Sequence, residues 1–317
     1  LDEAINAYKK AIEVNPNYAL AFFNTGNILH KQGKLDEAID AFGSATSLIP
    51  DYAQANINMG NVLKEQGKLD EAIEAFNKAN TQHSIAQALE CLYQQEKYDV
   101  FHEKLKNVAK KDPMNLRVAA ISAFASNQMR KKDPYPFCPD PIKFITFSNI
   151  KKHVPDYQKF IGCILDEMDK KHATWEPENK TTKGGFQTNN KLFEDLSPIM
   201  EQLKKILNKE LNLFKTKFNE RKNILIKKWP KEINFNAWYV RLLKSGHQEG
   251  HIHPAGWVSG VIYLKTVEDP HQSEGAIEFG LHGYDYPIKN KSYPQKIYQP
   301  KNGDIVLFPS SLFHRTI

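Results

Sequence analysis

The pentapeptide LDEAI occurs three times in this chain, at 1–5, 35–39 and 69–73. Both intervals are 34 residues. A fixed period of this length marks one helical pair per unit, and such units bury their apolar faces only by stacking on their neighbours. Phe22, Gly26, Leu29, Ala38, Phe42, Ala45 and Pro50 recur one period later as Asn56, Gly60, Leu63, Ala72, Phe76 and Ala79, with Ser84 in place of the closing proline. The small residues let two helices approach closely, and the aromatic ones fill the groove between them.

These are the packing positions of tetratricopeptide repeats, which residues 1–83 resemble. Ile85, Leu89, Leu92, Phe101, Leu105, Val108 and Pro113 suggest a shortened, degenerate repeat, and 114–131 reads as one more helix. The array is therefore expected to cover 1–132. Asn24 and Asn27 share a face of one helix, and Asn58 and Asn61 repeat the pair one period on. Such a row resembles the asparagine ladder of peptide-binding tetratricopeptide arrays. That resemblance implies a protein or peptide partner held by its backbone, since an amide both donates and accepts. A solvated polar helix face is the other reading of the same four residues.

Four prolines in DPYPFCPDP at 133–141 exclude a helix interior or a central strand, so this stretch reads as a hinge. Beyond it IKFITFSNI alternates like a strand, and 155–171 reads as a helix. GGFQTNNKLF reads as a loop, with Gly185–Asn190 either capping the helical stretch 194–226, the favoured reading, or lining a site. From 234 onward short β-rich runs follow one another near 235–244, 257–265, 275–280, 295–299 and 304–308, with another from His314. Closely spaced strands of this kind suggest an antiparallel sandwich or jelly roll.

At 317 residues the chain is long enough for two cores. Much of its net charge of +6 sits in 204–231. That stretch reads first as a lysine-coated amphipathic helix and second as a contact for nucleic acid or an acidic surface, and the lack of interleaved stacking aromatics weighs against nucleic acid. Cys91, Cys138 and Cys163 are scattered, as expected of reduced thiols in a cytoplasmic protein. No apolar run approaches the ~20 residues of a membrane span, so no membrane partner is expected.

The chemistry lies in three histidines. His251 and His253 stand two residues apart before the strand-like WVSGVIYL, so in extended backbone they point the same way. His314 follows a second such run, GDIVLFPSS. Three imidazoles converging on one side of a β-scaffold would hold a divalent transition metal and leave positions open. His247, His271 and His282 read as surface or capping residues.

NAWYV, the H-x-H-P with WVSGVIYL, GAIEF and GDIVLFPSSLFH together resemble the core of Fe(II)- and 2-oxoglutarate-dependent oxygenases, in particular those carrying N-terminal tetratricopeptide repeats. The resemblance implies an α+β protein of two domains. An N-terminal α-solenoid would precede a double-stranded β-helix (jelly roll, cupin-like) with flanking helices over 142–317. It implies Fe(II) held by His251, His253 and His314, with 2-oxoglutarate as co-substrate and dioxygen as oxidant. The reaction implied is hydroxylation of a substrate presented by the repeats, and the analogy with collagen-type prolyl hydroxylases points to a peptidyl one. Most of the superfamily has a carboxylate where His253 stands, and three histidines also suit Zn(II) or Ni(II). By analogy with prolyl hydroxylases, Tyr263 would donate to the distal carboxylate of 2-oxoglutarate, with Ser259 in the same pocket. The basic anchor usual in the family is expected beyond Ile317, so the domain reads as C-terminally incomplete. Arg241, on one strand face with Tyr239, is a substitute anchor. Two other readings stand beside this one: a non-catalytic repeat scaffold with a structural β-domain, and a cupin-type metalloenzyme that does not use 2-oxoglutarate.

Overall fold

The computed structural model describes residues 1–194, 196–267 and 273–317. The chain divides into two compact units, Leu1–Lys111 and Asp112–Ile317. His271 lies outside the described residues.

The first unit is a run of seven helices: α1 (Asp2–Val14), α2 (Ala19–Lys31), α3 (Leu35–Leu48), α4 (Ala53–Glu65), α5 (Leu69–Ala79), α6 (Gln82–Gln94) and α7 (Tyr98–Lys111). The glycines act as the period suggests. A β-carbon on Gly26 would stand 2.7 Å from the Phe42 ring, and one on Gly60 would stand 2.6 Å from the Phe76 ring. Each aromatic thus lies flat against bare backbone. A second recurring contact, not foreseen from sequence, ties each repeat to the one before. The Gln32 amide donates to Asp2 at 2.8 Å and the Gln66 amide to Asp36 at 2.9 Å. Lys68 adds an ion pair to Asp36 at 3.6 Å. Gln66, then Lys68, holds the Asp36 carboxyl below its usual range, and Lys97 with Gln95 does the same for Asp70. Where Ser84 replaces the closing proline, Asn80 turns left-handed (φ 47) and Thr81 with Ser84 forms a capping box that starts α6.

The second unit begins earlier than the sequence suggests. Helix α8 (Leu116–Gln128), expected to close the repeat array, is part of it. The Phe124 ring packs on His282, Tyr286 and Tyr293, at 5.4, 5.4 and 6.0 Å between centroids. The Gln128 amide donates to the Asn290 carbonyl at 2.9 Å and accepts the N–H groups of Lys289 and Asn290 at 2.8 Å. The near-continuous burial of α8 explains the difference, because an end-capping helix would keep one polar face.

Nor is 133–141 a hinge. Tyr135, Phe137 and Cys138 are buried. The Tyr135 hydroxyl donates to the Asp112 carbonyl and accepts the Asn115 N–H at 2.8 Å. The carbonyls of Pro136 and Phe137 accept from Ile224 and Leu225 at 3.0 and 3.1 Å. The prolines hold the segment extended, and its rings anchor it.

Asp133, in this segment, accepts from the Ser122 hydroxyl at 2.5 Å and the Tyr135 N–H at 2.9 Å. Burial nonetheless raises its carboxyl from 3.8 to about 6. The folded state therefore holds the proton more tightly than the unfolded chain. Its contribution to stability is full below about pH 4 and is lost as pH rises through about 6, a change on the order of 3 kcal/mol. Asp133→Asn keeps the acceptor oxygen and should remove this slope. Urea unfolding followed by tryptophan fluorescence checks it, because Trp175, Trp229, Trp238 and Trp257 all lie in the second unit. Parallel wild-type and variant profiles between pH 4 and 7 would refute the assignment.

Among the described residues the rest of this unit holds three antiparallel three-stranded sheets. The strands are β1 (Thr146–Asn149), β2 (Ala173–Trp175), β3 (Thr182–Thr188), β4 (Val240–Gln248), β5 (Val258–Ile262), β6 (Ile277–Gly280), β7 (Gln295–Tyr298), β8 (Asp304–Pro309) and β9 (Phe313–Thr316). The sheet orders are β1-β8-β5, β2-β3-β4 and β7-β6-β9. The helices α9 (Tyr157–Met168), α10 (Pro198–Lys217) and α11 (Ile224–Lys227) complete it. All six residues of β8 are buried, and after Asp304 the run IVLFP is apolar without a break, as expected of a central strand. GGFQT is strand β3, not a loop. Its glycines permit close approach, since a β-carbon on Gly184 would stand 2.8 Å from the Gly246 Cα, where the β3–β4 register shifts. The cap of α10 is Ser197, whose hydroxyl accepts the Met200 N–H, and not the 185–190 segment. Among the described residues no helix is long and apolar enough to cross a membrane.

Candidate metal centre

Strand pairing brings the three histidines together. His251 and His314 form an antiparallel bridge, each N–H donating to the other's carbonyl at 3.1 Å. Two residues on, the His253 N–H donates to the Ser310 carbonyl at 3.0 Å. The β8–β9 turn and the segment before β5 thus run side by side with their imidazoles on one side. Ring centroids are 4.8 Å apart for His251 and His253, 4.3 Å for His251 and His314, and 5.0 Å for His253 and His314. One nitrogen from each ring lies within 4.8 Å of the other two. Some point then lies within about 2.8 Å of all three, against about 2.1 Å for an imidazole–metal bond. Small rotations close that difference.

The surroundings suit neutral imidazole, the form that ligates. Burial lowers all three pKa values, and the adjacent rings add to it at His253, lowered to about 4, and at His314, held well below the usual imidazole range. His251 Nδ1 lies 2.7 Å from the Glu249 carbonyl and His314 Nδ1 3.2 Å from the Leu312 carbonyl. A carbonyl can only accept, so each Nδ1 carries the proton and each Nε2 presents its lone pair. The donor set fits a divalent transition ion, with no carboxylate in the cluster among the described residues.

Comparison with known proteins gives this geometry a context. Residues 236–317, which carry all three histidines, match the family model described as "Putative 2OG-Fe(II) oxygenase". Residues 1–33 and 26–67 match the model described as "TPR repeat". The chain thus joins an N-terminal segment that matches the tetratricopeptide repeat model to a C-terminal segment that matches the 2OG-Fe(II) oxygenase model. Among curated proteins none matches it. Similar solved structures include a crystal structure of MamA, 20% identical with a TM-score of 0.37, covering 42% of this chain and 81% of that one. A MamA fragment from Desulfovibrio magneticus RS-1 is 18% identical with a TM-score of 0.30, covering 34% and 64%. A tetratricopeptide repeat protein from Parabacteroides merdae ATCC 43184 is 17% identical with a TM-score of 0.36, covering 52% and 59%.

The four residues expected to hold a co-substrate fall in different places. Ser259 lies opposite Phe308 on β8, whose ring is 4.6 Å from that of His314. Its hydroxyl is 2.7 Å from that of Ser310. Tyr263 shares the face of Ser259 but sits four residues along, roughly 13 Å away. Its N–H donates to Asp304 at 2.9 Å, and burial pushes its phenol well up. Arg241 and Tyr239 are not brought to the histidines. Arg241 lies 3.6 Å from Asp169 and 5.1 Å over the Phe186 ring, while burial and then Asp169 raise the Tyr239 phenol. Alternation explains the miss, because the neighbour Trp238 is the residue that faces the site, 5.4 Å from the His253 ring. Trp238 and the two orienting carbonyls were not foreseen. The only sequence signal for the carbonyls is their place two residues before a ligand.

The other polar expectations resolve simply. Asp304 closes the turn before β8, accepting the Lys301 N–H at 2.8 Å and the Tyr298 hydroxyl at 2.7 Å. His247 is exposed, and His282 meets the Tyr286 carbonyl at 2.9 Å. In the repeats, the Asn58 amide donates to Asn27 at 2.6 Å and the Gln87 amide to Asn61 at 2.5 Å. The row is thus cross-linked and continues into α6. Asn24 is half-buried on the same helix as Asn27. A separate groove of about 580 Å³ is lined by Phe22, Ile39, Asp40, Ser44, Ser47 and Met59, with none of the four asparagines.

Proposed function

We propose that the C-terminal domain is an Fe(II)- and 2-oxoglutarate-dependent dioxygenase that hydroxylates a peptidyl substrate presented by the repeats. What carries the reading is the convergence of His251, His253 and His314 within a segment matched by the oxygenase model. Iron with 2-oxoglutarate, when bound, supplies the oxidation of a C–H bond by dioxygen coupled to decarboxylation of the co-substrate. The chain's own part is positional. The three Nε2 atoms would hold the ion, and the Glu249 and Leu312 carbonyls keep two rings in the ligating tautomer. Phe308, Phe279 and Trp238 exclude water around them. Ser259, near the histidines, and Tyr263, further along the same face, are the groups this face offers a dicarboxylate.

The test is anaerobic loading with Fe(II), addition of 2-oxoglutarate, and a search for the weak visible absorption of the chelate, followed by succinate measurement after oxygen is admitted. Chelation with turnover is the expected result. The neutral three-histidine set supports a second reading, a cupin-type centre that works without 2-oxoglutarate, and metal uptake with no chelate band would select it. No metal uptake would leave a repeat scaffold with a structural β-domain.

Tetratricopeptide repeats generally mediate protein–protein contacts, and the Asn24, Asn27, Asn58 and Asn61 row supports an extended peptide as occupant. Asn27→Ala with Asn58→Ala removes both partners of one amide contact. It should lower retention on an array of immobilised unstructured peptides about tenfold, on the order of two hydrogen bonds. Unchanged retention would remove these asparagines from the reading. A cytoplasmic location accords with the three free cysteines.

A further inference from the structure

Ten basic side chains fall between Lys204 and Lys231, against four acidic ones between Glu201 and Glu232. The excess of six is the formal net charge of the entire chain, so the remaining residues are balanced. The fold makes the local imbalance sharper. Helix α10 buries Met200, Leu203, Ile206, Leu207, Leu211 and Phe214, which leaves Lys205, Lys209 and Lys217 exposed on its other side. Glu210, one of the four acids, is turned inward to Ser148 at 2.7 Å and His153 at 2.5 Å. Elsewhere lysines find acids, as in Lys64 with Glu90 and Lys97 with Asp70. Among the described residues none of these ten cations has an acidic partner. Their contacts are with rings: Lys215 with Trp229, Lys217 with Phe218 and Arg221 with Phe144.

We propose that this face binds the phosphate backbone of duplex nucleic acid without reading its sequence. A cluster of unpaired like charges repels itself and gains most from a polyanion that sheds counterions on contact. Nine of the ten are lysines. Lysine meets phosphate as a point charge, without the bidentate geometry by which arginine forks fix orientation, which suits contact that reads no sequence. The apolar side of α10 is already used inside the unit and leaves a single large apolar side chain exposed, Leu213, too little to seat the helix in a bilayer. Phe144 and Phe218 are buried and Trp229 lies under Lys215, which leaves no stacking platform for a single strand. The lack of interleaved aromatics, which argued against nucleic acid from sequence, therefore counts only against single strands. From Lys204 to Lys217 the helix spans about 20 Å, enough to follow one backbone over several phosphates.

The test is fluorescence anisotropy with a labelled 20-base-pair duplex of arbitrary sequence, at 50 to 200 mM salt, using the whole chain. Binding should be measurable at 50 mM and weaken steeply with salt, with a log–log slope of about −4 to −6. Changing Lys205→Glu, Lys209→Glu and Lys217→Glu together should weaken it about 30-fold or more. The melting temperature should change little, because none of the three has an acidic partner and Lys217 gives up a single ring contact, to Phe218. Absence of binding at 50 mM, or binding that the triple change leaves intact, overturns the proposal. So does equal or tighter binding of single-stranded DNA, polyglutamate or phosphatidylserine vesicles.

Discussion

Alanine in place of His314 is expected to abolish metal retention while the repeat array stays helical. His314 is the most enclosed of the three imidazoles, set against His251 at 4.3 Å and Phe308 at 4.6 Å between ring centroids. Its backbone is fixed by two hydrogen bonds to His251, which hold the two rings in register. A structural zinc site of four ligands is worth about 10–16 kcal/mol, or roughly 3–4 kcal/mol per ligand, so loss of one should weaken binding on the order of a hundredfold to a thousandfold. Titration with Co(II) or Ni(II), with stoichiometry measured after desalting, reads this directly. The truncation also opens a cavity beside Phe308. His314→Gln fills most of that space without an imidazole, which separates loss of a ligand from loss of packing. His282→Ala, in the same unit, is the control. Unchanged stoichiometry in both His314 variants would remove this residue from the centre and the oxygenase reading with it.

The parts of the molecule that were legible in the sequence are those in which one local pattern suffices. The 34-residue period set out α2 to α5, because each helix there contacts its neighbours through residues at fixed offsets. The histidines were legible because i and i+2 share a face in extended backbone, and β8 because a central strand must be apolar throughout. The failures concern the direction of a side chain or the partner of a helix. Arg241 and Trp238 are three residues apart, and only β3, supplied by GGFQT and taken for a loop, fixes which of them turns toward His253. Helix α8 has the composition of a repeat helix, yet Phe124 and Gln128 pack on residues more than 150 positions later. The prolines of 133–141 suggested a joint, but the rings between them are what the fold uses.

Phe76→Ala should unfold much of the first unit. The ring is fully buried and lies against Gly60, with Leu63, Ala72, Ala75, Ala88 and Cys91 completing its cluster. Those residues come from α4, α5 and α6, so one side chain holds two successive helical pairs together. Truncating a buried phenylalanine costs about 3–5 kcal/mol, and an array of few repeats has little redundancy because each unit contacts only its neighbours. Far-UV circular dichroism during urea unfolding reports the loss, and tryptophan fluorescence remains a separate signal from the second unit. The complementary change tests whether fit, and not burial alone, matters at this contact. Gly60→Ala puts a methyl 2.6 Å from the Phe76 ring and should cost about 1–3 kcal/mol by overpacking. Combined with Phe76→Leu, which withdraws the ring, the added methyl has room. The double variant should then be more stable than the sum of the single losses predicts, by about 1 kcal/mol or more. Strict additivity would mean that glycine at this position serves the backbone of α4 and not the ring it faces.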